Sequence, residues 1–225
     1  MSRTQQPYVA VAEAAWRWVL DQVRWDDGPW IPVSVTSAPA TEPGWDRDGL
    51  HSGVGGLAYV LAEIRLARPW TTEEHALADG IADRVRREIP TQTDCTYFDG
   101  LVSTVGVLIA LQAAGAHDAV VRLAALAEPD GWPQTVLKGP SYLPGARIND
   151  VTLGTAGVLL GALWARRHDV AGAADLAEHA AGVLVAEGEQ EPTGTNWQMV
   201  SPRFGSSRGN AQMPNFSHGI LVHYT

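Results

Sequence analysis

The chain has 225 residues, 45% of them hydrophobic, which is enough to bury the core of one large domain or two small ones, and we expect a single domain spanning residues 1–225. Its net charge is −9 without any Lys/Arg-rich run, which excludes nucleic acid and anionic membranes as expected partners. It has one cysteine, no apolar run near the roughly 18 residues of a membrane span and no signal-peptide pattern, so we expect a cytoplasmic protein.

Amphipathic helices are predicted wherever apolar residues recur at spacings of three and four. The first covers Tyr8–Trp25 and is expected to bury one face. The second covers Thr71–Ile89, with Thr71 as its cap and acidic residues in its first turn. Two more are predicted at His117–Ala127 and Ala171–Gly188. The buried face of the first helix is predicted to contain Val9, Ala12, Trp16, Val19, Leu20 and Val23.

Three segments of another kind alternate with these helices and begin at Ser52, Val102 and Leu153. Each contains a small residue, two further positions, a glycine and then about two turns of apolar residues. The aligned glycines are Gly56, Gly106 and Gly157, 50 and 51 residues apart. A fourth start is predicted in "HGILVHY", with Gly219 first and Val222 at the position of the second small residue.

A period of about 50 residues, each with one apolar and one amphipathic helix, is typical of arrays of helical hairpins. We therefore predict an all-α fold, an α/α toroid with apolar inner helices and amphipathic outer ones. An ordinary helical bundle with incidental small residues is the alternative. The long loops 26–50, 128–149 and 189–216 either cap the ends of the barrel or wall a cleft with aromatic side chains. Their tryptophans are Trp25, Trp30, Trp45, Trp132 and Trp197.

The repeated G-x-x-G helix starts, together with "NDVTLGTAG" (149–157) and "NFSHG" (215–219), resemble the lanthionine synthetase cyclase (LanC-like) family. The resemblance covers nearly the whole chain, but only about the first half of that family's fold. It implies an α/α toroid with zinc in a central cavity. It also implies that the substrate is a dehydrated precursor peptide, in which a cysteine thiol adds across dehydroalanine or dehydrobutyrine to close a thioether ring.

The resemblance implies two catalytic residues, because Asp150 and His218 match the family's active-site aspartate and histidine. A carboxylate and an imidazole there would serve as base and acid. Without the resemblance, Asp150 is better interpreted as a helix N-cap or loop carboxylate that accepts backbone N–H bonds, and the alternative for His218 is a structural histidine. Asp99 stands at the same offset from Gly106 as Asp150 from Gly157, so it is a candidate substrate-binding residue, together with His51 and Trp197.

The sequence departs from the family at the metal. The family's zinc ligands lie in a Trp-Cys-x-Gly segment and in a Cys-His pair before a glycine, and neither segment occurs in this chain. Cys95, in "TDCTYFDG", belongs to neither context, so we expect no zinc in this chain by itself. Only seven residues follow His218. We therefore expect an incomplete, open half-barrel, apparently truncated, whose exposed inner helices would favour self-association or another modifying-enzyme chain as partner.

Three functions remain open from the sequence. The first is a cyclase-related protein of lanthipeptide maturation that is degenerate or needs a second chain. The second is a non-catalytic module that holds a peptide for other modifying enzymes. The third is a carbohydrate-active α/α toroid, which would need paired acids, namely Asp99 and Asp150.

Overall fold

The computed structural model describes residues 6–36, 39–44, 47–135, 145–192, 194–204 and 221–222. Within these ranges the secondary structure is almost entirely helical, which confirms the predicted all-α class. The helices are α1 Gln6–Gln22, α2 Gly55–Ala67, α3 Thr72–Glu88, α4 Leu101–Leu111, α5 Ala116–Leu126, α6 Thr155–Arg167 and α7 Ala173–Glu187. The strands are β1 Glu189–Glu191, β2 Gly194–Asn196 and β3 Leu221–Val222, and they form one antiparallel sheet in that order.

The predicted helix limits agree with the structure to within three residues. The Thr71 hydroxyl accepts a hydrogen bond from the backbone N–H of Glu74, and the Glu74 carboxylate accepts one from the backbone N–H of Thr71. This reciprocal pair is a capping box, and it fixes the start of α3. The turns before α5 and α7 each contain a glycine of positive φ, Gly115 and Gly172, which allows the chain to reverse tightly.

The helices are arranged in two layers. Helices α2, α4 and α6 pack side by side, and each packs against the helix that follows it in the chain, namely α3, α5 and α7. Ten of the eleven residues of α4 are buried, because this helix has neighbours on both sides. Helix α4 is therefore the centre of the hydrophobic core, as expected for a helix that is apolar all round.

Helices α2 and α6 flank α4, and they do not share its complete burial. Leu66 of α2 is 82% exposed, and Leu163 of α6 is 41% exposed. Helices α2 and α6 therefore each leave part of their apolar surface exposed, whereas α4 is covered on both sides. Each packs against α4 on one side and, among the described residues, against no other helix of its own layer on the opposite side.

Helix α1 joins the array through Trp16, which is buried, whereas Val9 is 41% exposed and Ala12 is also exposed. The predicted buried face is thus wrong in its first two turns and correct from Trp16 onward, where Val19 and Leu20 pack against the core. Among the described residues, no helix is both long and apolar enough to cross a membrane.

The charged side chain of Glu74 lies inside this core. Glu74 is 1% exposed, and its carboxylate accepts hydrogen bonds from Trp16 Nε1 at 2.7 Å and from two nitrogens of Arg68 at 2.8 Å. Arg68 also donates to Glu13 of α1. The carboxylate therefore connects α1, the end of α2 and the start of α3 through satisfied hydrogen bonds.

Candidate functional site

The loops that precede α2, α4 and α6 lie beside one another at one end of these helices. The backbone N–H of Leu50 in the first loop donates to Phe98 O in the second at 2.5 Å. The N–H of Tyr97 in the second loop donates to Thr152 O in the third at 3.0 Å. The three loops therefore form a short ladder at the N-terminal ends of the helices.

The three loops also begin their helices in the same way. The backbone N–H of Val54, Leu101 and Thr155 donates to the carbonyl oxygen seven residues earlier, at 2.9, 2.8 and 2.8 Å. A glycine stands immediately before each donor, so the glycines equivalent in space are Gly53, Gly100 and Gly154. A side chain at Gly100 or Gly154 would crowd the loop. A Cβ on Gly100 would lie 2.5 Å from the carbonyl oxygen of Asp94, and a Cβ on Gly154 would overlap the carbonyl oxygen of Ile148.

The alignment of the three helix starts by these hydrogen bonds is called the spatial register below. In the second repeat it differs from the alignment that the G-x-x-G pattern predicts. Gly106 is the sixth residue of α4 and not part of the helix start, because the helix begins at Leu101. A Cβ on Gly106 would overlap the hydroxyl of Tyr59 in α2. Gly106 thus serves close packing between α2 and α4, and the sequence pattern does not distinguish that role from capping.

The expectation that Asp99 repeats the position of Asp150 is wrong for the same reason. Asp99 directly precedes the capping Gly100, whereas Asp150 stands four residues before Gly154. In the spatial register, the residues equivalent to Asp150 are Gly49 and Thr96. Asp99 is half-buried, and its Oδ1 lies against the Cα of Gly49, where a Cβ would overlap it.

Asp150 lies in the third loop and is 4% exposed. Its Oδ1 accepts a hydrogen bond from the backbone N–H of Leu153 at 2.7 Å, which holds the turn that leads into α6. The neighbouring Asn149 donates from Nδ2 to Gln198 O at 3.1 Å. The carboxylate is thus fixed by backbone contacts beside the N-terminal end of α6, and His218 lies outside the described residues.

The other two sequence candidates occupy different places. His51 is exposed at the end of the first loop, where its Nδ1 lies 2.9 Å from Ser52 Oγ and its ring meets the edge of Phe98. Trp197 is half-buried beyond α7, and its Nε1 donates to Leu184 O at 2.6 Å. Among the described contacts, none joins either residue to Asp150.

The loop tryptophans serve mainly to hold helices together. Besides Trp197, the indole N–H groups of Trp70 and Trp132 donate to Leu61 O and Leu123 O, nine residues earlier in the chain. Trp132 is 1% exposed and Trp30 is 6% exposed, so neither walls an open cleft. The burial of Trp30 and Trp132 favours the capping interpretation for their loops, whereas Trp25 is 51% exposed and Trp45 lies outside the described residues.

The described residues do not fit the zinc of the family that the sequence resembles. Cys95 is 2% exposed in the core, where burial, with the nearby Asp94, raises the pKa of its thiol to about 12. A metal ligand must instead be a thiolate. No cluster of three His, Cys, Asp or Glu side chains suited to a metal ion occurs in the part of the chain that the structure describes.

An apolar cavity of about 160 Å³ opens where α2, α4 and α6 meet the loops. Tyr59 of α2 and Tyr97 of the second loop contribute to its wall. The remaining lining residues are Leu50, Val102, Gly106, Leu160, Gly161 and Trp164. This cavity was not predicted residue by residue, because its lining comes from three stretches distant in sequence, 50–59, 97–106 and 160–164.

Fold and site together define an all-α protein of paired helices, with a buried aspartate and an apolar cavity at the N-terminal ends of one helical layer. Comparisons with protein-family models, with curated proteins and with solved structures found no match to this chain.

Proposed function

We propose that this protein is a LanC-like, lanthionine cyclase-related protein that acts on a dehydrated precursor peptide, and that its helical array is part of an α/α toroid. The observation that carries the proposal is Asp150, a buried carboxylate in the loop before the third apolar helix. That is the place to which the sequence resemblance assigns the family's active-site aspartate. The two helical layers and the stacked loops support the same assignment.

In the proposed reaction a cysteine sulfur of the peptide forms a bond to the β-carbon of a dehydroalanine or dehydrobutyrine. The thiol proton leaves, and a proton is added to the α-carbon, so that the peptide mass is unchanged. Asp150 would act in proton transfer, and His218, the second proposed catalytic residue, would supply the proton to the enolate. The family's zinc-ligand segments do not occur in this sequence, so the thiolate would arise on a second chain or without metal.

The test is ring closure by the full chain, alone and with a second LanC-like cyclase chain, on a synthetic peptide that contains one dehydroalanine and one cysteine. Loss of free thiol is followed by alkylation and mass spectrometry. We expect Asp150→Asn to slow closure at least tenfold, because the amide cannot accept a proton. Closure no faster than the uncatalysed reaction in both arrangements, or an unaffected Asp150→Asn variant, would contradict the proposal.

Asp150→Asn is chosen because it separates chemistry from folding. The asparagine Oδ1 can still accept the hydrogen bond from the N–H of Leu153, so the turn before α6 is retained. Asp150→Ala removes that acceptor and should cost about 1 kcal/mol of stability. If both variants lose ring closure while Asp150→Asn keeps its fold, the loss is due to the missing negative charge of Asp150 and not to disruption of the turn before α6.

A second candidate function is a non-catalytic peptide-binding module within a peptide-modifying complex. The apolar cavity favours it, because binding sites are usually concave and apolar with a few polar groups. Under this proposal the affinity for the precursor peptide, measured by calorimetry, is unchanged by Asp150→Asn. An affinity that falls with the loss of the carboxylate would favour the cyclase-related function.

A further inference from the structure

We propose that the cavity between α2, α4 and α6 binds one leucine- or phenyl-sized apolar side chain of the peptide, with the Tyr59 hydroxyl donating to a peptide carbonyl at its edge. The identity of the bound group rests on the proposed function, which supplies a peptide as substrate. The existence of an apolar binding cavity does not depend on it.

Two glycines in the lining allow the helices around this cavity to approach one another closely. A Cβ on Gly161 of α6 would lie 2.5 Å from Val102 Cγ1, and a Cβ on Gly106 of α4 would overlap the Tyr59 hydroxyl. Glycine inside a helix costs about 1 kcal/mol relative to alanine. Glycine is nevertheless present at both positions, because a Cβ there would clash where the three helices approach one another around the cavity.

The size of the cavity limits what it can hold. A buried cavity of about 150 Å³ lined by aliphatic and aromatic side chains is known to bind benzene. The cavity of this protein, about 160 Å³, has a comparable volume and an apolar lining. Leu160 and Trp164, which are 40% and 39% exposed, leave it open to solvent on one side. One aliphatic or aromatic side chain can therefore enter while its backbone stays outside.

Tyr59 brings a polar group, its hydroxyl, to the cavity wall, where the hydroxyl lies against Gly106. Burial, together with the nearby Tyr97, raises the pKa of this hydroxyl to about 12, so that it remains a neutral O–H donor at physiological pH. No hydrogen bond from the Tyr59 hydroxyl is made to the described residues. A carbonyl group is the complementary acceptor, and an extended peptide offers one at every residue.

The cavity lies next to the loop of Asp150. Tyr97 lines the cavity, and its backbone N–H donates to Thr152 O, two residues after Asp150. A Cβ on Gly157, in the first turn of α6, would lie 3.3 Å from Tyr97 Cβ. A side chain held in the cavity would therefore place the neighbouring peptide residues close to this loop.

The experiment measures binding to the full chain, with methyl-labelled protein, by NMR chemical-shift changes. The probes are benzene, N-acetyl-leucine methylamide and N-acetyl-glycine methylamide. We expect shifts in the methyl groups of Val102 and Leu160 with the first two probes and not with the glycine amide. Equal shifts with the leucine and glycine amides, or no shift with benzene, would overturn the proposal.

Three variants locate the binding. Leu160→Trp should fill the cavity and weaken both benzene and the leucine amide at least tenfold. Leu66→Trp, at an 82% exposed position of α2 outside the cavity, is the matched control and should leave both affinities unchanged. Tyr59→Phe should weaken the leucine amide two- to fivefold and leave benzene unaffected. An unchanged affinity in Leu160→Trp, with its circular dichroism intact, would overturn the proposal.

These readouts are independent of ring closure. If both apolar probes bind as expected while the cyclisation assay is negative, the proposed cyclase-related function is contradicted and the proposed binding cavity is supported. If ring closure depends on Asp150 while neither apolar probe binds, the proposed binding cavity is contradicted and the proposed cyclase-related function is supported.

Discussion

Glu74 is a charged residue whose surroundings determine how the protein responds to mutation. Its carboxylate is 1% exposed and accepts hydrogen bonds from Arg68, from Trp16 and from the backbone N–H of Thr71. Glu74→Gln keeps the shape but removes the charge facing Arg68. We expect it to lower the free energy of unfolding by about 3 kcal/mol at pH 7, measured by urea denaturation. Glu73→Gln, one residue earlier and exposed, should cost less than about 1 kcal/mol.

The same residue predicts an acid-dependent loss of stability. The hydrogen bonds from Arg68, opposed by burial, lower the pKa of Glu74 from 4.5 to about 2 in the folded chain. Because the folded pKa is the lower one, this contribution is complete above about pH 4.5 and is lost as the pH falls toward 2. The stability gap between wild type and Glu74→Gln should therefore narrow between pH 4.5 and 2.5 in urea titrations. A gap that stays constant over this interval would contradict the assignment.

The sequence predicted the role of an individual residue correctly where that role depends only on nearby positions in the chain. Thr71 as a cap follows from its place before acidic and apolar residues, and the burial of Trp16 in α1 follows from helical periodicity. The burial of Glu74 was not predicted, because it depends on Trp16 and Arg68, which reach it from other segments. The contact of Asp99 with Gly49 is likewise a property of two neighbouring loops.

Among the structural elements, α4 offers a direct test of the corrected register. Gly106→Ala adds a Cβ that overlaps the Tyr59 hydroxyl, so it should destabilise the protein by about 1 kcal/mol despite the better helix propensity of alanine. Tyr59→Phe removes the overlapping atom. We therefore expect the double variant to be about 1–2 kcal/mol more stable than Gly106→Ala, measured as a double-mutant cycle by urea denaturation.

Gly182 of α7 provides the control for this cycle. It is an exposed glycine inside a helix, and a Cβ there would meet nothing within 4 Å. Gly182→Ala should stabilise the protein by about 0.5–1 kcal/mol through helix propensity alone. If Gly106→Ala stabilised the protein equally, the close contact between α2 and α4 would be refuted.

The helices themselves were largely predictable, and their registers were not. Periodicity and caps predicted the positions of α1, α3, α5 and α7 to within three residues. A repeated glycine pattern, however, has two physical causes, loop capping and close helix packing. In the second repeat, Gly100 performs the first role and Gly106 the second, so the sequence pattern followed the wrong glycine.

For the molecule as a whole, the alternation of apolar and amphipathic helices predicted the two observed layers, because each layer must bury its apolar face against the other. Asp150 was predicted as a site residue through its motif, and the structure places it in a buried loop beside α6. The cavity could not be predicted, because its shape depends on how closely three helices approach one another.

Cys95 is a probe of this whole assembly. Its thiol is 2% exposed, and burial raises its pKa from 9.0 to about 12. Only the thiolate attacks an alkylating reagent, so the raised pKa alone should make the folded chain react at least about 1,000-fold more slowly than the unfolded chain near pH 8. Alkylation with iodoacetamide, followed by intact mass spectrometry, tests this expectation, with the chain in concentrated urea as the reference.

The residual reaction should then proceed through opening of the core, because the native thiol is inaccessible. Glu74→Gln, which we expect to shift the unfolding equilibrium by about 3 kcal/mol, should accelerate alkylation by roughly 100-fold, and Glu73→Gln should do so far less. If the native wild type is alkylated at the same rate as the unfolded chain, Cys95 is accessible to solvent as a thiolate in the native state. Burial would then no longer exclude Cys95 as a metal ligand, since an accessible thiolate is the form that binds a metal ion.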